Sequence, residues 1–201
     1  TCIIFSALNT PGITEIYSKS SRNHTELMLK FLNYPIKVTK KLGYQKISIK
    51  GLNQLKCFKY DVPGDISSAS FFMVLTLLSV NSKMIIEKVN VNQSRIGIIS
   101  ILNKMGAKIK LKNKKTYNGE EIADIYVESK NKLNAINCPS KLNSSAIDEF
   151  LIIFLVAAKA NGVSYFKDIG ELNQKESPRL KWGSKILNKM GIKTITTDSS
   201  I

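Results

Sequence analysis

Three stretches of the chain carry apolar residues at the spacing of an amphipathic helix, and they share a sequence. ILNKMGAK at 101–108 returns as ILNKMGIK at 186–193, and a weaker copy reads MLKFLNYPIK at 28–37. Each copy ends at Gly or Asn, residues that tolerate the left-handed conformation in which many helices finish. A β-type run follows each copy, at 36–38, 107–111 and 192–196. The pattern therefore predicts a repeated helix–strand architecture.

The starts of these three helices also match. They read SR at 21–22, SR at 94–95 and SPR at 177–179. The serine is predicted to cap free N–H groups of the helix, and the arginine adds charge at the positive end of the helix dipole. One such pair is ordinary capping, whereas three in register indicate a repeated architecture and, at some copies, an anion site.

Apolar runs between the repeats predict the remaining elements. A first helix should end within 2–9, before the breaker sequence NTPG, and Pro63-Gly64 should mark a crossover between domains. Two helices that are apolar nearly all round should be central in their domain: 67–79, capped by Asp65, and 144–160. The order of elements predicts an α/β protein, in which helices pack against mixed α/β sheets. Strands are predicted at 13–16, 46–50, 56–62, 83–89, 124–127 and 163–166.

Composition bounds the class of protein. The 201 residues are 43% hydrophobic, enough for a real core, and the longest apolar run, 150–158, has about half the length that crosses a bilayer. We therefore expect a soluble, cytoplasmic protein without a membrane partner. The three cysteines are far apart and form no CxxC or Cys/His cluster, so we expect neither a zinc site nor a disulfide framework.

The formal charge of +15 has two interpretations. A nucleic-acid or polyanion surface is one of them. The other is drift under AT-rich codon usage, since Lys, Asn and Ile are all abundant. The basic residues are mostly lysines spread from end to end, without a basic helix or interleaved aromatic residues, which favours drift. We therefore expect no nucleic-acid partner.

Five motifs carry the candidate chemistry. They are SRNHTE at 21–26, GDISSASFF at 64–72, NQSRIG at 92–97, IDE at 147–149 and KESPRL at 175–180. In this order they closely resemble SRDHTE, GDxSSA, NPxRxG, IDE and KESDR of the 3-phosphoshikimate 1-carboxyvinyltransferase (EPSP synthase) family of enolpyruvyl transferases. The resemblance runs from residue 1 to about residue 193.

The resemblance implies a fold and an extent. The family has two domains, each of three βαβαββ units in an inside-out α/β barrel, with the active site in the cleft between them. By resemblance, 1–62 is the last unit of the first domain, 63–66 is the crossover, and 67–201 is the first and part of the second unit of the second domain. The chain would then be an internal portion of about half the family enzyme, inactive alone and monomeric when complete.

The resemblance also implies a reaction. The family transfers the enolpyruvyl group of phosphoenolpyruvate to the 5-hydroxyl of shikimate 3-phosphate, in the shikimate pathway to chorismate and the aromatic amino acids. The hydroxyl adds to C2 of phosphoenolpyruvate while C3 gains a proton, and the tetrahedral adduct then loses phosphate. Such chemistry needs a proton acceptor, a proton donor and cations that hold phosphates and a carboxylate. No metal or organic cofactor is implied.

The site residues carry over position by position. Asp148 resembles the family's proton acceptor and shikimate hydroxyl ligand, and Glu176 resembles its proton donor. The remaining matches bind substrate: Ser21, Arg22 and Lys175 on the shikimate 3-phosphate side and Arg179 on phosphoenolpyruvate. Structural roles compete with these assignments, because Asp148 could cap a buried helix and Glu176 could simply favour a helix N-terminus.

The sequence departs from the family pattern near Lys175. Pro178 stands where the family usually has Asp, which removes an acid that could orient Arg179, although proline is acceptable in a first helical turn. Asn173 and Gln174 replace an Arg-Val pair, and Leu151 replaces a Pro. These changes leave the fold assignment intact and concern the efficiency of this copy of the site.

Two other functions remain as alternatives. UDP-N-acetylglucosamine enolpyruvyl transferase shares the fold but is marked by a loop cysteine, and Cys2, Cys57 and Cys138 lie in other contexts. A basic RNA-binding or RNA-end-processing protein of related architecture would account for the charge, and its affinity would fall broadly with salt.

Overall fold

The computed structural model describes residues 1–19, 21–41, 43–129 and 132–201, and these form two compact units. Unit 1 comprises Thr1–Val62 with Lys115–Glu121, and unit 2 comprises Pro63–Lys114 with Ile122–Ile201. The boundary at 62–63 coincides with the Pro63-Gly64 dipeptide. Within the described ranges, no helix is long and apolar enough to cross a bilayer.

Unit 1 is a three-stranded antiparallel sheet with two helices. Its elements are α1 (Cys2–Leu8), β1 (Ile13–Lys19), α2 (His24–Phe31), β2 (Ile36–Lys41) and β3 (Tyr44–Lys50). β3 is the central strand and pairs antiparallel with both β1 and β2. The alternation in its sequence explains this position, because Gln45, Ile47 and Ile49 are buried while their neighbours are not. Ile47 and Ile49 form a small core with residues of both helices.

The same succession of elements follows, almost entirely in unit 2. The elements are α3 (Ile66–Leu78), β4 (Lys83–Asn90), α4 (Gly97–Lys104), β5 (Lys108–Tyr117) and β6 (Glu120–Glu128). The end of β5, the start of β6 and the turn between them (115–121) belong instead to unit 1. The strand order β4-β6-β5 reproduces the order β1-β3-β2 of unit 1. Helix–strand–helix–strand–strand therefore occurs twice with the same sheet topology, and the predicted repeated α/β fold is confirmed.

The helix predicted over 144–160 is wrong as a single helix. The structure has a short α5 (Asn143–Ala146) and a longer α6 (Phe150–Lys159), separated by a turn at 147–149. Glu149 is the N-cap residue of α6, with φ −100° and ψ −3°, and its side chain is hydrogen-bonded outside the helix, to Ser67. The break is therefore a tertiary effect that apolar periodicity does not reveal.

The three repeated helices are confirmed as α2, α4 and α7 (Arg179–Lys189). Each is followed by a left-handed residue as expected: Asn33 (φ 55°), Gly106 (φ 90°) and Gly191 (φ 82°). The predicted serine caps are wrong, because the helices start later, with Asn23, Ile96 and Pro178 at the cap position and no side-chain cap bond there. Capping of α3 by Asp65 is confirmed, with Asp65 Oδ2 2.9 Å from the Ser68 N–H.

Three predicted strands are absent from the described residues at 56–62, 163–166 and 192–196. A strand needs a ladder partner as well as a β-type sequence. The first segment is held instead by ring contacts, with Phe58 5.7 Å from Phe31. In the second, Tyr165 makes one isolated parallel bridge, to Asn137. In the third, Thr194 is bonded to side chains of α7.

The two apolar helices occupy the core of unit 2 through one face each. Met73, Val74 and Leu77 of α3 are buried against residues of α6 such as Ile153 and Phe150. The prediction that these helices are central therefore holds for one face only. The other face of α3 is solvent-exposed among the described residues, at Phe71, Phe72, Leu75 and Leu78.

Gly51 supplies a test of how unit 1 is packed. A Cβ at this position would lie 1.8 Å from the Thr10 carbonyl oxygen and 2.5 Å from that of Ala7, so the end of α1 would have to move. We expect Gly51→Ala to destabilise unit 1 by about 3 kcal/mol and to speed amide hydrogen exchange along β3. Exchange in β3 that stays at the wild-type rate would contradict this packing.

Gly43 provides the matched control in the same unit. Its φ is +82° but a Cβ there meets no atom within 4 Å. Gly43→Ala should therefore cost only the left-handed strain of roughly 1 kcal/mol, with a much smaller effect on β3.

Candidate active site

Asp148 lies at the corner between α5 and α6 in unit 2 and faces two cations. Its Oδ1 atom is 3.5 Å from Lys175 Nζ and 3.6 Å from Arg179 Nη1. The side chain is 24% exposed, so it is neither a freely solvated surface acid nor a fully buried one. The alternative that Asp148 caps α6 is not what the structure shows, because Glu149 occupies the cap position.

The corner is held in place by the first turn of α6. Phe150 is fully buried, and its ring lies 5.9 Å from Phe166 and 6.0 Å from Phe154. These three rings form an aromatic cluster beneath α6. Because Phe150 is two residues after Asp148, burial of its ring fixes where the acid can lie.

Lys175 and Arg179 come from the segment that leads into α7. A 3-10 helix, Gly170–Gln174, precedes Lys175, and Arg179 is the first residue of α7. Leu172 and Leu180 are both buried and anchor the two elements on the core of unit 2. Lys175 and Arg179 thus lie at the two ends of the short connection between the 3-10 helix and α7, and both of these elements are anchored in the core.

Asn173 explains one departure from the family pattern. Its Oδ1 accepts a hydrogen bond from the Lys181 N–H at 3.3 Å, and its Nδ2 donates to the Asp198 carbonyl at 3.1 Å. Lys181 is the third residue of α7, where backbone N–H groups lack a partner within the helix. Asn173 therefore supplies the cap that the predicted Ser177 does not.

Glu176 is the most exposed member of the cluster. Its side chain is 84% exposed, and its Oε2 accepts a hydrogen bond from Arg179 Nη2 at 2.8 Å. The backbone N–H of Glu176 and the Arg179 guanidinium together hold the pKa of this carboxyl below its ordinary value. Glu176 is accordingly a carboxylate at neutral pH in this arrangement.

Glu171 joins the cluster although the sequence did not single it out. Its Oε1 is 3.6 Å from Lys175 Nζ, four residues further along the chain. The i,i+4 spacing of opposite charges was the available signal. The structure thus brings together Asp148, Lys175, Glu176 and Arg179, as the motifs suggested, and adds Glu171.

Ser21 and Arg22 belong to unit 1, where both are exposed just before the Asn23 cap of α2. The helix that follows them is anchored by a polar contact. His24 Nδ1 lies 2.5 Å from Glu120 Oε1, and Glu120 is a buried carboxylate at the β5–β6 turn of the same unit. Gly119 in that turn packs closely on α2, since its Cβ would lie 3.0 Å from the Leu27 carbonyl.

Known proteins share this sequence and fold. A family model described as EPSP synthase (3-phosphoshikimate 1-carboxyvinyltransferase) matches residues 1–201. The chain is 39% identical over its whole length to the 3-phosphoshikimate 1-carboxyvinyltransferase of Ruthia magnifica subsp. Calyptogena magnifica and 37% identical to that of Hydrogenovibrio crunogenus, of which it covers 45% each. It therefore spans about half the length of the curated relatives it matches.

Solved structures give the same answer. EPSP synthase from Acinetobacter baumannii superimposes with a TM-score of 0.88 at 35% identity, over 98% of this chain and 44% of that one. The enolpyruvyl transferase NikO from Streptomyces tendae shares the fold, with a TM-score of 0.59 at 13% identity over 82% of this chain and 37% of its own. Sequence and fold agree, and the chain belongs to the EPSP synthase (3-phosphoshikimate 1-carboxyvinyltransferase) family.

Proposed function

We propose that residues 1–201 contribute about half of an enzyme that transfers the enolpyruvyl group of phosphoenolpyruvate to the 5-hydroxyl of shikimate 3-phosphate. The observation that carries the proposal is the meeting of Asp148 with Lys175 and Arg179 at 3.5 and 3.6 Å. In this proposal 1–62 is the last unit of one family domain and 67–201 belongs to the other. The term full-length enzyme means a protein that contains residues 1–201 and has the length of the relatives.

Asp148 is the proposed proton acceptor of the addition step. As the 5-hydroxyl oxygen bonds to C2 of phosphoenolpyruvate, its proton passes to the Asp148 carboxylate and C3 takes up a different proton. In the elimination C3 gives a proton back to the acid that donated it, the bond between C2 and the phosphate oxygen breaks, the double bond is restored and phosphate is released. A base on a rigid corner suits this task, because proton transfer requires a short, fixed distance to the hydroxyl.

Lys175 and Arg179 are the proposed anion contacts in unit 2. A guanidinium can hold a phosphate or carboxylate through two parallel hydrogen bonds, which suits Arg179 to phosphoenolpyruvate, while the ammonium of Lys175 acts as a point charge beside shikimate 3-phosphate. Ser21 and Arg22 of unit 1 are proposed to bind the phosphate of shikimate 3-phosphate.

The Glu176–Arg179 pair couples substrate binding to proton donation in this proposal. The backbone N–H of Glu176 and the Arg179 guanidinium both lower the pKa of Glu176. An anionic substrate that draws the guanidinium away removes one of these two causes, and its own negative charge raises the pKa of Glu176 further. Binding of phosphoenolpyruvate by Arg179 would thus prepare the neighbouring acid.

Pro178 does not leave Arg179 without an acid to orient it. The guanidinium already faces Glu176 at 2.8 Å and Asp148 at 3.6 Å, and Pro178 itself sits at the start of α7 with φ −71°. Proline suits this position, because its fixed φ is compatible with a helix start. The missing family Asp is therefore compatible with a working arginine.

The cysteines argue against the UDP-N-acetylglucosamine enzyme as an alternative. Burial raises the pKa of the Cys138 thiol to about 11, so it is unsuited to reactive chemistry near neutral pH. Cys2 is the first residue of α1, and Cys57 lies in the irregular 52–62 segment.

The first prediction concerns the 201-residue chain by itself. We expect it to release no phosphate from phosphoenolpyruvate and shikimate 3-phosphate, because the relatives named for this activity are about twice as long. A coupled assay for inorganic phosphate measures this, with the Ruthia magnifica relative as the positive control. Phosphate release by the chain alone would contradict the prediction.

The second prediction concerns Asp148 in the full-length enzyme. Asp148→Ala removes the proposed base and leaves two cations facing each other, so we expect kcat to fall by about a thousandfold and shikimate 3-phosphate to bind poorly. Steady-state kinetics and calorimetry measure both effects. Asp198→Ala removes an exposed acid elsewhere in unit 2 and serves as the control. Near-normal turnover of Asp148→Ala would exclude Asp148 as the base.

The third prediction concerns the pKa of Glu176. Carboxyl carbon NMR should place it below the ordinary glutamate value, and Arg179→Gln should raise it only in part, because the backbone N–H of Glu176 still holds the carboxylate. A pKa lowered in the folded state stabilises the fold above the unfolded-state pKa, and this stabilisation is lost as pH falls through the folded-state value. Arg179→Gln should reduce that loss.

Lys181→Gln is the control for this titration. Lys181 carries the same charge in the first turn of α7 but is exposed, so the pKa of Glu176 should stay low. An unchanged Glu176 pKa in Arg179→Gln would contradict the assignment of the pair.

A further inference from the structure

Ser67, Arg95 and Glu149 form a connected hydrogen-bonded chain beside Asp148 in unit 2. Ser67 Oγ donates to Glu149 Oε1 at 2.5 Å and accepts from Arg95 Nη2 at 2.7 Å. The same Nη2 atom lies 4.0 Å from Glu149 Oε1 and 3.4 Å from Asp65 Oδ1. Asp65, which caps α3 through its other oxygen, therefore holds the outer side of the guanidinium.

The side chains of this hydrogen-bonded set are sheltered from water, which strengthens the contacts between them. Glu149 is 2% exposed and the side chain of Arg95 is 17% exposed. A buried carboxylate is tolerated when hydrogen bonds and an opposite charge compensate for lost hydration. Here Ser67, on the first turn of α3, supplies a hydrogen bond, and Arg95, before α4, supplies the opposite charge. Three segments therefore meet at Glu149: α3, the residues before α4, and the turn before α6.

Gly97 adds a second attachment two residues after Arg95. A Cβ on Gly97 would lie 2.4 Å from Ser145 Oγ and 2.9 Å from the Ala146 Cβ, so only glycine lets α4 approach α5 this closely. Ser145 and Ala146 are the last residues of α5. Residues 95–97 therefore hold the chain on both sides of Asp148. Gly97 packs against Ser145 and Ala146 before it, and Arg95 contacts Glu149 after it.

We propose that Arg95, Ser67 and Glu149 are positioning residues for Asp148. They fix the break between α5 and α6 so that the Asp148 carboxylate is held opposite Lys175 and Arg179. The inference rests on the proposed function, in which Asp148 is the base. It also gives Arg95 a role without a ligand: its guanidinium is engaged by protein acids and a hydroxyl, unlike that of an anion-binding arginine.

Ser67→Ala in the full-length enzyme is the sharpest test. It removes the Ser67 hydroxyl, which bonds both Arg95 and Glu149, while leaving every charge in place. We expect kcat to fall by about tenfold to a hundredfold, the range expected for a small misplacement of a catalytic group, with a smaller change in KM for shikimate 3-phosphate. Ser67→Thr keeps the hydroxyl and should restore kcat.

Ser68→Ala is the matched control. Ser68 is the next residue in the same turn, is exposed, and its hydroxyl contacts Asp65 at 3.2 Å rather than Glu149. Its kcat should remain close to the wild-type value. Thermal unfolding of all variants shows how much of any effect comes from loss of folded protein.

A double-mutant cycle with Asp148→Asn separates positioning from general support of the fold. If Ser67 acts through Asp148, Ser67→Ala should have little further effect on the residual kcat of Asp148→Asn. An equal loss of kcat in both backgrounds, or unchanged kcat in Ser67→Ala alone, would overturn the positioning role. If Asp148→Asn itself turns over normally, the proposed base is wrong and the positioning role falls with it.

Discussion

The buried carboxylate of Glu149 constrains the half of this molecule that carries the charged cluster. A carboxylate that is 2% exposed must find its partners within the protein, and Glu149 finds them on the first turn of α3 and before α4. Residue 149 meets those partners from the N-cap position of α6. The helix then breaks into α5 and α6, and the break is the corner on which Asp148 lies.

The two cations of the cluster around that corner are paired with carboxylates of the protein. Lys175 faces Asp148 and Glu171, and Arg179 faces Asp148 and Glu176. Each cation therefore has two carboxylates to exchange for an anionic ligand, and each acid changes its environment when that exchange occurs. Binding, deprotonation of the hydroxyl and protonation of C3 would thus be electrostatically linked in the proposed reaction.

The repeat shows how one architecture supports different tasks. Arg22, Arg95 and Arg179 hold the same place before or at the start of α2, α4 and α7, yet their surroundings differ. Arg95 is enclosed by Asp65, Ser67 and Glu149, while Arg179 is 29% exposed beside Asp148. The two helices share ILNKMG at 101–106 and 186–191, so the neighbours brought by the fold decide what each arginine can do.

Much of the fold follows from local pattern. Apolar spacing predicts the repeated helices, Asn33, Gly106 and Gly191 predict where they end, and alternation predicts β3, because each depends on residues within one turn or one strand pair. The predicted strands at 56–62, 163–166 and 192–196 fail for a complementary reason. Pairing is a property of two segments, and a β-type sequence carries no information about whether its partner is present.

The sequence by itself determined the α/β repeat, the family resemblance and most members of the charged cluster, since these rest on residue types at short, fixed spacings. Only the tertiary structure decided that Glu149 rather than Asp148 is the N-cap residue of α6, that Asn173 rather than Ser177 caps α7, and that Glu171 joins Lys175. Each of these outcomes depends on hydrogen bonds or charges whose geometry is set by how the elements pack, and the order of residues along the chain does not specify that geometry.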